Sequence, residues 1–143
     1  MIVAIDGPAG SGKGTVAKII SNKLGLVNLD TGVAYRCVAV KVLDNNLEID
    51  DEVEIPKLLD NMNIEFKKEN DIEKVFLNGI DVTERIRTKE VTNIVSEVSR
   101  IVPLRIRVTD LLRKMAEGKN IIAEGRDMGT EIFPDADVKI YID

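Results

Sequence analysis

Hydrophobic and polar positions follow three different rhythms along this chain. Residues 2–5 are an unbroken apolar run closed by Asp6 and Gly7, the pattern of a strand buried on both faces and its exit turn. Over 13–25 the apolar positions Val16, Ala17, Ile19, Ile20 and Leu24 recur at helical spacing, and Gly25 supplies a stop. Residues 26–29 predict a second short strand. Asp30 and Thr31 then precede a helical run from about 33 to 43, which makes Thr31 a candidate N-cap. A third helix is predicted over 51–62, where an acidic first turn suits the positive end of the helix dipole.

From residue 64 the period shortens. Ile64-Glu65-Phe66 and Val75-Phe76-Leu77 flank a polar stretch at 67–73, and Asn78-Gly79 is a strong hairpin signal before residues 80–82. A small antiparallel sheet is therefore expected here, inserted among helices. Helical patterns return at 89–101 and 103–117, with Pro103 suited to a first helical position. Residues 120–123 and 138–142 predict two more core strands. This order of elements specifies an α/β protein: a parallel core carrying an inserted substrate module. No repeat or low-complexity segment interrupts it. The last predicted strand runs out at Asp143 with no helix to cover it, so the chain is expected to be the front part of a longer protein.

Composition narrows the possible chemistry. With 143 residues, 44% apolar and 31% charged, the chain is long enough for one ordinary domain with a real core. A net charge of −5 argues against a nucleic-acid partner held through phosphate contacts, so any bound anion must be held by a local cluster of donors. A single cysteine, Cys37, excludes an internal disulfide, and the lack of histidine excludes His-based triads and HExxH metal sites. The opening MIVAID carries no basic leader, and no apolar run approaches the roughly 20 residues of a membrane span. A cytoplasmic monomer without membrane partners is expected.

The strongest chemical signal lies between the first strand and the first helix. Gly7-Pro8-Ala9-Gly10-Ser11-Gly12-Lys13-Gly14-Thr15 fits the G-x-x-x-x-G-K core of a phosphate-binding P-loop. In such a loop glycines let backbone N–H groups curl round phosphate oxygens, the lysine reaches the β- and γ-phosphates, and the helix N-terminus adds its dipole. The strict pattern places Ser or Thr directly after the lysine; here Gly14 intervenes and Thr15 carries the hydroxyl. Gly12 to Ala17 also matches G-x-G-x-x-A, with Asp30 near the acidic position of a dinucleotide fold. That fingerprint needs its first glycine at the end of the strand, however, and Gly12 lies six residues beyond Asp6. A P-loop accounts for the segment better.

Phosphoryl transfer depends on positioning and charge neutralisation, so cations are needed around both substrates. The candidates are Arg36, Arg105, Arg107 and Arg126. Arg36 and Arg126 lie in segments that leave the carboxyl ends of predicted strands, where α/β sheets bind ligands. Single surface arginines are ordinarily just solvated, and Asp127 beside Arg126 is equally readable as an ion-pair partner.

Taken together the segments resemble the bacterial cytidylate kinases, a group of nucleoside monophosphate kinases. The resemblance is carried by the GPAGSGKGT loop, by Leu29-Asp30-Thr31-Gly32-Val33-Ala34-Tyr35-Arg36, by Ile86-Arg87-Thr88 leading into Val91, and by Glu124-Gly125-Arg126-Asp127-Met128-Gly129-Thr130 running on through Phe133-Pro134-Asp135-Ala136. It implies a P-loop kinase sheet with helices on both faces and a substrate-binding insert at about 63–88, ending before the family's arginine-rich lid. It also implies transfer of the γ-phosphate of ATP to CMP or dCMP, giving CDP or dCDP, with Mg²⁺ accompanying ATP. By the same resemblance Lys13 and the loop from Gly7 to Thr15 hold ATP, and Arg36 and Arg126 grip the phosphate of CMP. Asp30 and Thr31 line the acceptor site, while Ser96, Arg105 and Asp127 read cytosine, with Arg107 the alternative to Arg105. Lys13, Arg36 and Arg126 are thus the residues expected at the reacting phosphates. Without the lid, the chain is expected to bind nucleotide and turn over poorly. A related small-molecule kinase and a non-catalytic nucleotide-binding fragment are the competing readings.

Overall fold

A computed structural model describes residues 1–143. In chain order its elements are β1 (Ile2–Asp6), α1 (Lys13–Leu24), β2 (Val27–Asp30), α2 (Thr31–Asp44), α3 (Glu54–Lys57), β3 (Ile64–Glu69), β4 (Ile72–Leu77), β5 (Ile80–Asp81), α4 (Lys89–Val98), α5 (Val102–Ala116), β6 (Ile121–Gly125) and β7 (Val138–Tyr141). Short 3₁₀ turns occupy Leu58–Asn61 and Arg85–Arg87, and a π turn occupies Met128–Ile132. No helix is long and apolar enough to cross a membrane. The chain divides into two compact units, one formed by Met1–Thr31 with Leu112–Asp143 and the other by Gly32–Leu111.

The first unit is built on a parallel sheet in the order β2-β6-β1-β7. The apolar run of β1 occupies a central position, with Val3 facing Ile122 and Val138, and Ile5 facing Glu124 and Ile140. A strand flanked on both sides and covered by α1 has no polar face, so an unbroken apolar run is what it requires. Val3, Ile5, Ala17, Leu26 and Ile122 form one buried cluster, with Val16, Ile20, Ile140 and Ile142 packed against it. Each of the fully buried isoleucines 5 and 122 contributes about 1.5–3 kcal/mol relative to exposure. Helix α1 ends where expected: Gly25 takes a left-handed conformation, and its N–H returns to the Ser21 carbonyl. The Ser21 hydroxyl is buried and donates to the Leu26 carbonyl at 2.6 Å, which holds Leu26 in the turn and starts β2 one residue later than predicted.

The second unit is organised around α2, whose Val33, Ala34, Cys37, Val38, Ala39, Val40 and Val42 are all buried. It contains the antiparallel sheet β3-β4-β5. The Asn78-Gly79 turn forms as predicted, with Asn78 hydrogen-bonded to Asn63 in both directions. The polar stretch at 67–73 is not a loop. Both strands extend through it and meet in a tight turn at Asn70 and Asp71, whose φ values of 52° and 63° suit the right-handed strand twist. Helix α4 is N-capped by Thr88, whose hydroxyl accepts from the Val91 N–H.

Two predicted features are corrected. Thr31 is not an N-cap: it is the first residue of α2, and its hydroxyl turns to the Glu124 carbonyl at 3.5 Å instead of to the helix's own amides. The helix predicted over 51–62 shrinks to the four residues of α3 and a 3₁₀ turn. Pro56 has no N–H to offer a regular helix, and Asp51 caps the short turn by accepting from the N–H groups of Val53 and Glu54.

Candidate functional site

Strands β1, β6 and β7 run in the same direction, so the segments that follow β1 and β6 leave the sheet at one edge. That edge is where parallel α/β sheets bind ligands. The first of these segments is the glycine loop. Gly10 and Gly12 adopt φ of 78° and 87°, a region that costs an L-side chain about 1–2 kcal/mol. This turns the chain back on itself directly into α1, with Gly12 as a side-chain-free N-cap. The loop is tightened by the Ser11 N–H to the Pro8 carbonyl at 3.2 Å and the Val16 N–H to the Gly12 carbonyl at 3.0 Å. Lys13 is half-buried, and its ammonium donates to the Pro8 carbonyl at 3.3 Å, which holds the charge across the arc of the loop. The Ser11 hydroxyl is buried without a hydrogen-bonding partner. Here a positive lysine and a helix N-terminus flank a backbone arc suited to an anion.

Close packing fixes the root of this loop. A Cβ at Gly7 would stand 2.5 Å from the Ile142 carbonyl oxygen, so only glycine fits beside β7. A Cβ at Gly14 would stand 3.3–3.4 Å from both carboxylate oxygens of Glu124. The residue that replaces the usual hydroxyl after the lysine therefore brings the Glu124 carboxylate against the first turn of α1.

The segment after β6 carries Arg126 and Asp127. The Gly7 N–H donates to the Gly125 carbonyl at 3.2 Å, joining the two segments at their bases. Asp6, the last residue of β1, then accepts from the Met128 N–H at 2.7 Å and the Gly129 N–H at 2.9 Å, one bond to each carboxylate oxygen. Met128 is buried, Asp127 half-buried and Arg126 exposed. The Asp127 carbonyl accepts from the N–H groups of Glu131 and Ile132, which begins the π turn.

The sequence candidates divide between the two units. The first unit holds the loop from Gly7 to Thr15, Asp30, Thr31, Arg126 and Asp127, and the second holds Arg36, Ser96 and Arg105. Arg36 donates to the Ile86 carbonyl at 2.8 Å and the Thr92 hydroxyl at 2.9 Å. Of the two arginines left open, Arg107 donates to the Pro56 carbonyl and the Asp60 carboxylate. Arg105 instead lies near Tyr35: burial pushes that phenol above its ordinary value, and the guanidinium only partly offsets this. Ser96 is exposed on α4.

Two residues of this edge, Asp6 and Glu124, were not singled out by sequence reasoning. The available signal was a carboxylate that closes an otherwise apolar strand, IVAI before Asp6 and IIA before Glu124. Such a charge would be costly within the strand and so belongs at its functional end. A cavity of about 680 Å³ lies elsewhere, lined by Ile2, Arg113, Asn120, Phe133 and Asp137 among others. It sits at the amino ends of β1 and β6, the opposite edge from the glycine loop, and the loop's geometry marks the better ligand site.

Comparison with known proteins gives this geometry a lineage. The sequence model of a family described as cytidylate kinase matches residues 3–143. A cytidylate kinase of Lactobacillus johnsonii is 47% identical over 142 residues, covering 99% of this chain and 62% of that protein. A cytidylate kinase of Carboxydothermus hydrogenoformans is 46% identical, covering 99% of this chain and 64% of its own length. A bifunctional pantoate ligase/cytidylate kinase of Prochlorococcus marinus is 45% identical over 99% of this chain, which there makes up 28% of the larger protein. The chain thus spans somewhat under two thirds of the length of the stand-alone relatives. On the family match over residues 3–143, the chain belongs to the cytidylate kinase family.

Proposed function

We propose that the protein of which this chain forms at least part transfers the γ-phosphate of ATP to CMP or dCMP, giving CDP or dCDP. The observation that carries the reading is the left-handed arc through Gly10 and Gly12, closed by the Lys13 ammonium at the start of α1. Gly7, Pro8, Ala9, Gly10, Ser11, Gly12, Lys13, Gly14 and Thr15 would cradle the phosphates of ATP. Arg36 and Arg126 would neutralise the acceptor phosphate, with Asp30 and Thr31 lining its site. Asp127, Arg105 and Ser96 would read the cytosine edge, where a carboxylate accepts from the exocyclic amine and an arginine donates to ring acceptors. The insert at about 63–88, which contains β3 to β5, would contribute to substrate binding.

The reading includes a Mg²⁺ ion that arrives with the nucleotide, for which the Thr15 hydroxyl and the Glu124 carboxylate beside Gly14 offer hard oxygen donors. There Thr15 and Glu124 would help to hold the ion, which would supply charge neutralisation to the phosphates. ATP and CMP or dCMP are then the partners, and the protein would act as a cytoplasmic monomer. A coupled assay with ATP and Mg²⁺ against CMP, dCMP, UMP, AMP and shikimate tests the assignment. Preference for CMP or dCMP supports it, whereas preference for another acceptor makes the protein a related small-molecule kinase. Nucleotide binding without turnover for any of them would reduce this chain to a binding module.

A further inference from the structure

We propose that Asp6 is a positioning residue for the acceptor loop, fixing the Arg126–Asp127 segment through the amides of Met128 and Gly129. This rests on the reading of Asp127 and Arg126 as acceptor-side residues and deepens it. Asp6 ends β1 and lies in register with Gly125 of β6 and Tyr141 of β7, so its backbone is held from both sides. Its carbonyl accepts from the Ile142 N–H at 2.8 Å, and the following Gly7 N–H bonds the Gly125 carbonyl. From this fixed base each carboxylate oxygen takes one amide, at 2.7 and 2.9 Å. Charge-assisted bonds of this kind are about twice as strong as neutral ones, and two to one planar group fix orientation as well as distance.

The surroundings leave the segment little alternative. A Cβ at Gly125 would lie 2.8 Å from the Met128 methyl carbon, and one at Gly129 would lie 3.3 Å from an Asp6 oxygen and from the Lys139 stem. Met128 is buried, so the chain on either side of it has a fixed anchor. Arg126 and Asp127 are held between two fixed points: the Gly125 carbonyl on one side and the two clamped amides on the other. Because Asp6 also precedes the phosphate loop, one residue sets the acceptor loop relative to the entry of the donor loop.

The test uses Asp6→Asn, which keeps the shape but turns an amide donor toward one of the two N–H groups. Loss of a charged bond predicts amide exchange at Met128 and Gly129 faster by about tenfold or more, and CMP affinity lower by a similar factor. ATP affinity should stay within about twofold, since the phosphate loop makes its own contacts. Should Asp6→Asn not fold, Gly129→Ala perturbs the same clamp from the other side and should lower CMP affinity selectively. Unchanged exchange at both amides would overturn the proposal. So would faster exchange with CMP affinity unaltered, or parallel loss of ATP and CMP affinity with a lower melting temperature. If the unaltered protein shows no preference for CMP, the functional reading fails instead, and the exchange rates still report on the clamp.

Discussion

Lys13 contributes charge rather than packing, because the residue is only half-buried and its ammonium donates to the Pro8 carbonyl. Lys13→Ala should therefore abolish measurable ATP binding and leave the circular dichroism spectrum unchanged. Retained ATP affinity would show that the loop is not the donor site. Asp127 is expected to discriminate bases: Asp127→Ala should weaken CMP more than UMP by about 1–3 kcal/mol, the value of a lost charged hydrogen bond. Equal losses in titration calorimetry would leave Asp127 as an ion-pair partner only. Cys37 shows the opposite behaviour. Fully buried on α2, its thiol is pushed up to about 12, so almost no thiolate exists at neutral pH. Alkylating reagents should leave it intact in the folded protein and label it rapidly in urea. At this scale the glycine loop was readable where the reason is local, as with the left-handed Gly10 and Gly12 and the lysine at the start of α1, whereas Gly7 and Gly14 answer to Ile142 and Glu124 far along the chain. Asp6 was not readable, because its carboxylate acts on amides more than 120 residues away in sequence.

The elements vary in how far local pattern decided them. Asn78-Gly79 specifies its hairpin through turn geometry alone, and Gly25 ends α1 through its left-handed cap. The region 51–62 differs from expectation because its acidic start and apolar spacing suit a helix, while Pro56 cannot donate within a helix begun at residue 51, and the Asp51 side chain instead caps a later, shorter start. Two element-level predictions follow from such contacts. Gly7→Ala would press a methyl against the Ile142 carbonyl, a backbone atom held in the β1–β7 junction. A loss of about 1–3 kcal/mol in urea unfolding is expected from overpacking of this kind. The second concerns α2, whose C-terminal Asp44 pairs with Arg85. The hydrogen bond from Arg85 holds the Asp44 carboxyl below its ordinary value. Its stabilisation is thus present above the ordinary carboxylate range and lost as pH falls through the depressed folded-state value. Since the pair is substantially exposed, Asp44→Asn should cost under about 1 kcal/mol at neutral pH. Its stability curve should converge with that of the unaltered protein in acid.

At the scale of the whole molecule, strands could be recognised in the sequence but their order could not. The sheet order β2-β6-β1-β7 pairs β1 with a strand over a hundred residues later, and no local pattern encodes that choice. The division into two units was equally hidden, because the boundary after Thr31 falls inside a continuous helix. Every residue assigned to ATP lies in the first unit, whereas Arg36 belongs to the second and is held there by the Ile86 carbonyl and Thr92. With a net charge of −5 the protein has no general attraction for anions, so each phosphate must depend on its own local donors. Arg36→Met, which keeps much of the stem and removes the charge, should therefore lower CMP affinity by about tenfold or more. ATP affinity should stay within about twofold, because sites without shared partners perturb independently. Lys13→Ala should show the reverse selectivity. Calorimetric titration of both variants with both nucleotides separates the cases, and a matched loss of ATP and CMP affinity in Arg36→Met would remove Arg36 from the acceptor side.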